Sequence, residues 1–167
     1  MKRIEVYLYR ADIDGRVVDN VISGYTGMLP CNWGTEPYSH AAMGLESSVG
    51  MVIDTFESTS RRDDGTTGTK WIRKDVLLRN PDRWDVYWLY VSDERALEMR
   101  ARANGQAGKP YDWLGIIGFA LPVAVNNKKK WYCSEVVWYV LTGKTCRVSP
   151  RNLSKRIKKL GFQKEVS

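Results

Sequence analysis

The sequence predicts an α+β fold in which a small, mostly antiparallel sheet packs against helices. Runs with strand-like alternation end near residue 91, and most runs with helical spacing follow them. The 167 residues suffice for one domain with its own core, and contents of 43% apolar and 27% charged residues are typical of a globular protein. We therefore expect a single domain over residues 1–167.

Four short runs predict the strands. RIEVYLYR, at residues 3–10, has an alternating pattern rich in β-forming residues. YSHAAMGL at residues 38–45 and GMVIDTFE at residues 50–57 flank ESSV, which predicts a hairpin. WDVYWLYV at residues 84–91 is apolar on both alternating faces, which is typical of a central strand covered on both sides.

Caps and stop signals predict the remaining elements. Ser92 is a candidate N-cap for a helix on which Leu97, Ala101 and Asn104 share one face. Residues 58–70 are polar, aperiodic and contain glycine, so they predict a loop. A short helix or turn is predicted over residues 17–27. Further helices are predicted after residue 112, over residues 133–141 and from the Ser149-Pro150 pair onward, because Pro150 suits a first turn.

The N-terminus and the cysteines indicate a reducing compartment. MKRIEVYLYR places charges where a secretory signal has an unbroken apolar run. The longest apolar stretch, WLGIIGFALPVAV, is too short for a membrane helix and contains Pro122. Cys31, Cys133 and Cys146 are odd in number and match no zinc spacing. We expect a cytoplasmic protein with reduced thiols, no transmembrane segment and no metal site.

Positive charge is concentrated near the C-terminus. The formal net charge of the chain is +7. Residues 126–167 contain 11 Lys and Arg but only two acidic residues, Glu135 and Glu165, so their net charge is +9. The first 125 residues therefore have a net charge of −2. Such a surface suits nucleic acid, anionic lipid or an acidic polymer. However, no aromatic residue interleaves with NLSKRIKKLG, as a nucleic-acid stacking platform requires. A solvated helix face is the simpler interpretation, and no specific nucleic-acid partner is expected.

Cys133 and His40 are the candidate nucleophile and general base. A helix that starts beside Cys133 supplies unpaired N–H groups and a partial positive charge, which stabilise a thiolate. Cys146, in a short basic turn, and Cys31, beside Pro30, lack that setting. A cysteine nucleophile needs a base, most often histidine, and His40 is the only histidine in the chain. The structural alternatives are a space-filling cysteine and a hydrogen-bonded histidine.

A carboxylate in the predicted hairpin is the candidate third residue. If the two strands pair around Ser47, His40 faces Asp54, and directly opposed residues share a face of the sheet. Glu57 has the opposite parity and points to the other face unless a bulge intervenes. Asp54 is therefore preferred as the group that orients the imidazole, and the choice between Asp54 and Glu57 stays open.

Five motifs together resemble the circularly permuted NlpC-type papain-like cysteine peptidases and amidases. In chain order they are PYSHAAMGL, VIDTFES, GKPYDWLGIIGF, WYCSEVVWYVL and SPRNL. In that family the histidine strand precedes the cysteine helix, and the relatives include lecithin:retinol acyltransferase-like enzymes and small bacterial and phage proteins. The resemblance covers roughly residues 20 to 155 and implies a papain-like fold.

The resemblance also implies roles for individual residues. The nucleophile of the family maps onto Cys133, its base onto His40 and its third polar group onto Asp54, a position where many members have histidine or glutamate. Tyr111 occupies the tyrosine of the YD motif. The resemblance therefore implies a catalytic triad of Cys133, His40 and Asp54 that forms an acyl-enzyme.

Three aromatic residues are candidates for substrate binding. Tyr38 lies two residues before His40 and is predicted on the same strand face, where it can line the cleft or donate to an oxyanion. Trp131 beside the cysteine is a candidate pocket wall, and Tyr111 is the third candidate. Packing between elements is the alternative for all three.

The implied activity is a cysteine-dependent hydrolysis of amide or ester bonds without metal or organic cofactor. Candidate substrates are a cell-wall peptide, an amino-acid amide and a lipid ester, and acyl transfer to another acceptor stays open, as does a phage-encoded origin. A second hypothesis is a catalytically silent binding module that uses the basic C-terminal face. Salt-sensitive binding without thiol reactivity would favour that module.

Overall fold

The structure, a computed structural model, describes residues 1–11, 36–47, 52–60, 65–112 and 130–165. The strands in these residues are β1 (Lys2–Arg10), β2 (Tyr38–Glu46), β3 (Ile53–Thr59), β4 (Gly68–Arg73), β5 (Trp84–Val91) and β6 (Gln163–Lys164). The helices are α1 (Lys74–Leu77), α2 (Asp93–Asn104), α3 (Cys133–Thr142) and α4 (Pro150–Lys159), with a 3₁₀ turn at Pro81–Arg83. The strands form one antiparallel sheet in the order β4-β3-β2-β1-β5-β6, which confirms the α+β class.

The sheet has two faces with different covers. On the inner face, alternate residues such as Val6 and Met43 pack against buried residues of α2, α3 and α4. On the outer face, Tyr7 and Ala42 pack with Leu77 of the short helix α1. Most of the apolar core therefore lies between the inner face and the three longer helices.

The helix caps follow the prediction. Ser92 Oγ accepts a hydrogen bond from the Arg95 N–H at 3.2 Å and starts α2, and Ser149 starts α4 in the same way. The face that α2 buries carries Met99 and Ala103, whereas Leu97, on the predicted shared face, is 61% exposed. No helix in the described part of the chain is long and apolar enough to cross a membrane.

Two predictions about strands are wrong. The loop predicted over residues 58–70 contains the end of β3 and the start of β4, because Gly68 and the residues after it pair with β3. β5 is not a central strand covered on both sides. Its neighbour at the sheet edge, β6, pairs only with Tyr87 and Trp88, and Tyr90 is 50% exposed. The short helix or turn predicted over residues 17–27 and the helix predicted after residue 112 lie outside the described residues.

A β-bulge interrupts the pairing of β1 with β2. Tyr9 pairs with His40, but Arg10 pairs with Tyr38, so Ser39 is the extra residue. One inserted residue reverses the alternation of side chains. Tyr38 therefore belongs to the inner core, whereas His40 has the parity of the outer face.

The basic residues of α4 lie beside its buried stripe. Leu153 and Ile157 are fully buried, while Lys158 and Lys159 are exposed. Arg156 donates to Asn152 Oδ1 at 3.1 Å and to the sulfur of Cys146 at 3.2 Å. This guanidinium is therefore engaged within its own part of the fold.

Gly68, the first residue of β4, packs closely against the backbone of Lys109, and we expect Gly68→Ala to be strongly destabilising. Its φ is +92°, and an added Cβ would lie 2.3 Å from the carbonyl oxygen of Lys109. The strained backbone and the clash together should lower the free energy of unfolding by about 3 kcal/mol or more. Urea unfolding followed by circular dichroism measures the change.

Gly65→Ala is the matched control for Gly68→Ala. Gly65 also has a positive φ, +76°, but no atom lies within 4 Å of the Cβ that would be added. Its substitution should cost only the conformational strain, about 1–2 kcal/mol. Equal losses in the two variants would contradict the close approach of β4 to Lys109.

Candidate active site

Cys133 is the first residue of α3 and is fully buried. Tyr132 before it has extended backbone (φ −84°, ψ 153°), so the helix begins at the cysteine. N–H groups in the first turn of a helix have no partner within the helix, and together with the helix dipole they favour negative charge nearby. The predicted position of Cys133 at a helix start is therefore confirmed.

A hydrogen bond ties the segment before Cys133 to the end of β3. Ser58 Oγ donates to the Trp131 carbonyl oxygen at 2.8 Å. Ser58 lies next to the last residue of β3, and this end of β3 lies alongside the start of β2, where His40 stands. The start of α3 and the histidine are thus brought to the same end of the sheet.

Glu57 is the carboxylate that holds His40. Glu57 pairs with Ala42, so it shares the face of His40 two residues away. The His40 Nε2 and Glu57 Oε2 atoms are 3.0 Å apart, and the two side chains are 18% and 7% exposed. A charged hydrogen bond in such a screened position fixes the orientation of the ring.

The preference for Asp54 as the partner of His40 is wrong. Asp54 pairs with Leu45 instead, five residues along β2 from His40. An odd shift of register moves every side chain of one strand to the other face, so Asp54 leaves the face of His40 and Glu57 takes it. The Asp54 carboxylate accepts a hydrogen bond from Arg100 Nη1 at 3.0 Å.

The ring of His40 also interacts with Cys133. Burial lowers the pKa of His40, but the charge of Cys133 and a hydrogen bond with it, together with Glu57, outweigh burial and raise that pKa to about 10. Because Nε2 faces Glu57, Nδ1 is the ring nitrogen left for the thiol. At neutral pH the imidazole is therefore protonated, with sulfur as one partner and a carboxylate as the other.

Glu135 of the CSE motif caps the helix that carries Cys133. The Tyr132 N–H donates to the Glu135 carboxylate, which is the N3-to-N-cap half of a capping box. Burial and the charge of Asp112 raise the pKa of Glu135 to about 7, against the opposing effects of the Tyr132 N–H and Arg147. Glu135 thus serves the start of α3, and its hydrogen bond helps to hold the backbone at the cysteine.

The prediction that Tyr38 shares a strand face with His40 is wrong. The bulge at Ser39 turns it into the inner core, where it is fully buried. Its hydroxyl donates to Asp85 and lies 3.2 Å from the Tyr87 hydroxyl. Burial first, and these two partners second, raise the pKa of Tyr38, and the phenol is engaged away from His40.

Tyr111 lies next to Trp131, which precedes Cys133 by two residues in the chain. They form an isolated parallel bridge, and Tyr111 packs with Tyr132 and Cys133 in a buried cluster. The indole N–H of Trp131 donates to Gln106 Oε1 at 2.9 Å. Tyr111 is thus close to the nucleophile, whereas Trp131 lies in the core that supports the start of α3.

Comparison with known proteins adds no assignment to this geometry. Neither a protein-family model nor a curated protein sequence matches the chain. Among the described residues, no group of three or more His, Cys, Asp or Glu side chains is arranged to hold a metal ion. The groups that the geometry brings together for chemistry are those of Cys133, His40 and Glu57.

Proposed function

We propose that this chain is a cysteine-dependent hydrolase of amide or ester bonds. Cys133 is the nucleophile, His40 the acid and base, and Glu57 the residue that orients His40. The observation that carries the proposal is the imidazole of His40, which is held by Glu57 at 3.0 Å and interacts with the Cys133 thiol. A thiol next to an imidazole that is in turn held by a carboxylate is the arrangement of an activated cysteine nucleophile.

The first step is attack of the Cys133 sulfur on the substrate carbonyl carbon. His40 holds the proton that the thiol gives up, and Glu57 stabilises the resulting imidazolium. As the C–S bond forms, the carbonyl π electrons move to oxygen. N–H groups at the start of α3 are the candidate donors to this oxyanion, because they lie beside the sulfur and have no helical partner.

The second step releases the products. The oxyanion collapses to a thioester, and His40 protonates the departing amine or alcohol. Water then gives its proton to His40 and attacks the thioester, which frees the acid and returns the proton to the Cys133–His40 pair. An amine or alcohol in place of water would give acyl transfer through the same intermediate.

The order of elements supports a permuted papain-like relationship. The histidine strand β2 precedes the cysteine helix α3, and the carboxylate comes from β3, the strand after the histidine. This is the arrangement implied by the resemblance to the permuted NlpC-type proteins. Within that class we propose an amide or ester substrate, with cell-wall peptides, amino-acid amides and lipid esters as the candidates.

An acyl-enzyme trap tests the proposal. The chain is mixed with a p-nitrophenyl ester, quenched in acid and analysed by intact-protein mass spectrometry. We expect a stoichiometric acyl adduct on Cys133 and none in Cys133→Ala. A panel of a peptidoglycan stem peptide, an amino-acid amide and a phospholipid then identifies the physiological bond. Absence of both the adduct and product from any panel member would refute the hydrolase.

A further inference from the structure

Three aromatic rings lie side by side on the outer face of the sheet, across β5, β1 and β2. Tyr9 pairs with Trp84 on one side and with His40 on the other. The Tyr9 and Trp84 rings meet edge to face, with centroids 5.0 Å apart and an interplanar angle of 70°. The Trp84 ring also reaches the His40 ring, at 6.0 Å and 72°.

Trp84 is itself held in place. It packs against the outer-face cluster of Tyr7, Ala42 and Leu77. Its neighbour Arg83 donates to the Tyr9 hydroxyl at 3.3 Å, which ties the start of β5 to β1. The indole therefore meets His40 from a supported position.

Several charged or titratable groups face His40. They are the Glu57 carboxylate from β3, the Cys133 thiol from α3 and, across the strand pair, the Tyr9 phenol, which is held by Arg83. The strength of the pairing with Glu57 depends on how well water is excluded from it. Trp84 adds a large uncharged ring, which contacts the His40 ring edge to face.

We infer that Trp84 is a positioning residue, which restrains the His40 ring edge to face and screens its pairing with Glu57 from water. This inference rests on the proposed function, because it gives His40 a catalytic task. Edge-to-face aromatic pairs prefer a defined geometry, so the indole limits the rotation that would take Nδ1 away from the sulfur. Trp84 acts through His40 and need not touch substrate.

The single histidine makes the test specific. The His40 ring is the only imidazole in the chain, so its NMR titration needs no assignment among several histidines and no substrate. Leucine keeps an apolar side chain over the ring and so most of its burial, but it lets the pairing with Glu57, which raises the pKa of His40, loosen. In Trp84→Leu we therefore expect the His40 titration midpoint to fall by about one unit and kcat to fall about threefold to tenfold at unchanged KM. Trp84→Phe, which keeps an aromatic edge, should restore most of both.

Trp88→Leu is the matched control. Trp88 is on the same strand and face but packs against Tyr90 and lies under the Arg3 guanidinium. It should leave the His40 midpoint and kcat as in the wild type. Equal effects of Trp84→Leu and Trp88→Leu, or an unchanged His40 midpoint in Trp84→Leu, would overturn the inference.

A measurement on the wild-type protein covers the case in which Trp84→Leu does not fold. Nuclear Overhauser effects between the indole protons of Trp84 and the ring protons of His40 are expected, and their absence would overturn the inference. Because this readout and the midpoint are independent of turnover, an inactive protein with both signals intact would refute the proposed function alone. Loss of the signals in an active protein would refute the role of Trp84 alone.

Discussion

Cys133→Ala and His40→Ala should each reduce turnover to the uncatalysed background, a loss of about 10,000-fold or more. Alanine at residue 133 removes the sulfur atom that forms the proposed thioester. Alanine at residue 40 removes the group that holds the thiol proton and protonates the leaving group. Initial rates with the best substrate of the panel, measured for both variants, provide the test.

The double variant and a fold measurement complete that experiment. Residues that act as one unit are not additive, so Cys133→Ala/His40→Ala should be no slower than either single variant. Far-UV circular dichroism should match the wild type, because a methyl group replaces a small buried side chain at residue 133. Wild-type turnover in folded Cys133→Ala would exclude Cys133 as the nucleophile, whereas no turnover of any panel member by the wild type would leave the binding module as the remaining hypothesis.

Glu57→Gln should lower kcat by about 100-fold to 10,000-fold, whereas Asp54→Asn should change it less than about twofold. The amide of glutamine cannot stabilise an imidazolium as the carboxylate does. Since Glu57 contributes both a hydrogen bond and charge to the raised pKa of His40, that pKa should also fall in Glu57→Gln. Enzyme kinetics and the titration of the single histidine measure the two effects.

Asp54→Asn is the matched control for that comparison. Both acids lie on β3, three residues apart, and each pairs with a cationic or titratable side chain, Arg100 for Asp54 and His40 for Glu57. The pair of Asp54 with Arg100 is partly exposed, so its loss should cost at most about 1 kcal/mol of stability. A larger kinetic effect of Asp54→Asn than of Glu57→Gln would reverse the assignment of the third residue.

Local signals in the sequence predicted the elements that carry the site. The alternation in β2 and the helix start at Cys133 are properties of a few adjacent residues, and the structure has both. Ser92 predicted a helix start because its hydroxyl can accept a hydrogen bond from an unpaired N–H of the first turn, and Ser149-Pro150 predicted another because proline suits the first turn; both serines cap their helices.

Pairing between strands was not predictable in the same way. The hairpin was expected to turn tightly around Ser47, but β2 runs to Glu46 and β3 begins at Ile53, opposite it. That difference gives the odd shift of register which exchanges Asp54 for Glu57. Alternation alone fixes which residues share a strand face and not which residues of two strands meet.

The remaining differences are also non-local. The bulge at Ser39 is a property of the pairing between β1 and β2, and it removes Tyr38 from the face of His40. Trp84 was predicted only as part of a strand, because its approach to His40 requires β5, β1 and β2 to lie in that order. The alternating aromatic run of β5 identifies Trp84 as a candidate contact residue, but only the strand order shows that its partner is His40.

The most direct test of the central claim is the rate at which iodoacetamide alkylates each cysteine at pH 7, measured by mass spectrometry of peptides. Cys133 is buried and Cys146 is partly exposed, so accessibility alone favours Cys146. Because His40 keeps its proton up to about pH 10, it can stabilise a thiolate at neutral pH. We expect Cys133 to be labelled first, and at least about tenfold more slowly in His40→Ala, since an unassisted thiol is only a few per cent thiolate. Earlier labelling of Cys146 or Cys31, or an unchanged rate in His40→Ala, would contradict an activated nucleophile at Cys133.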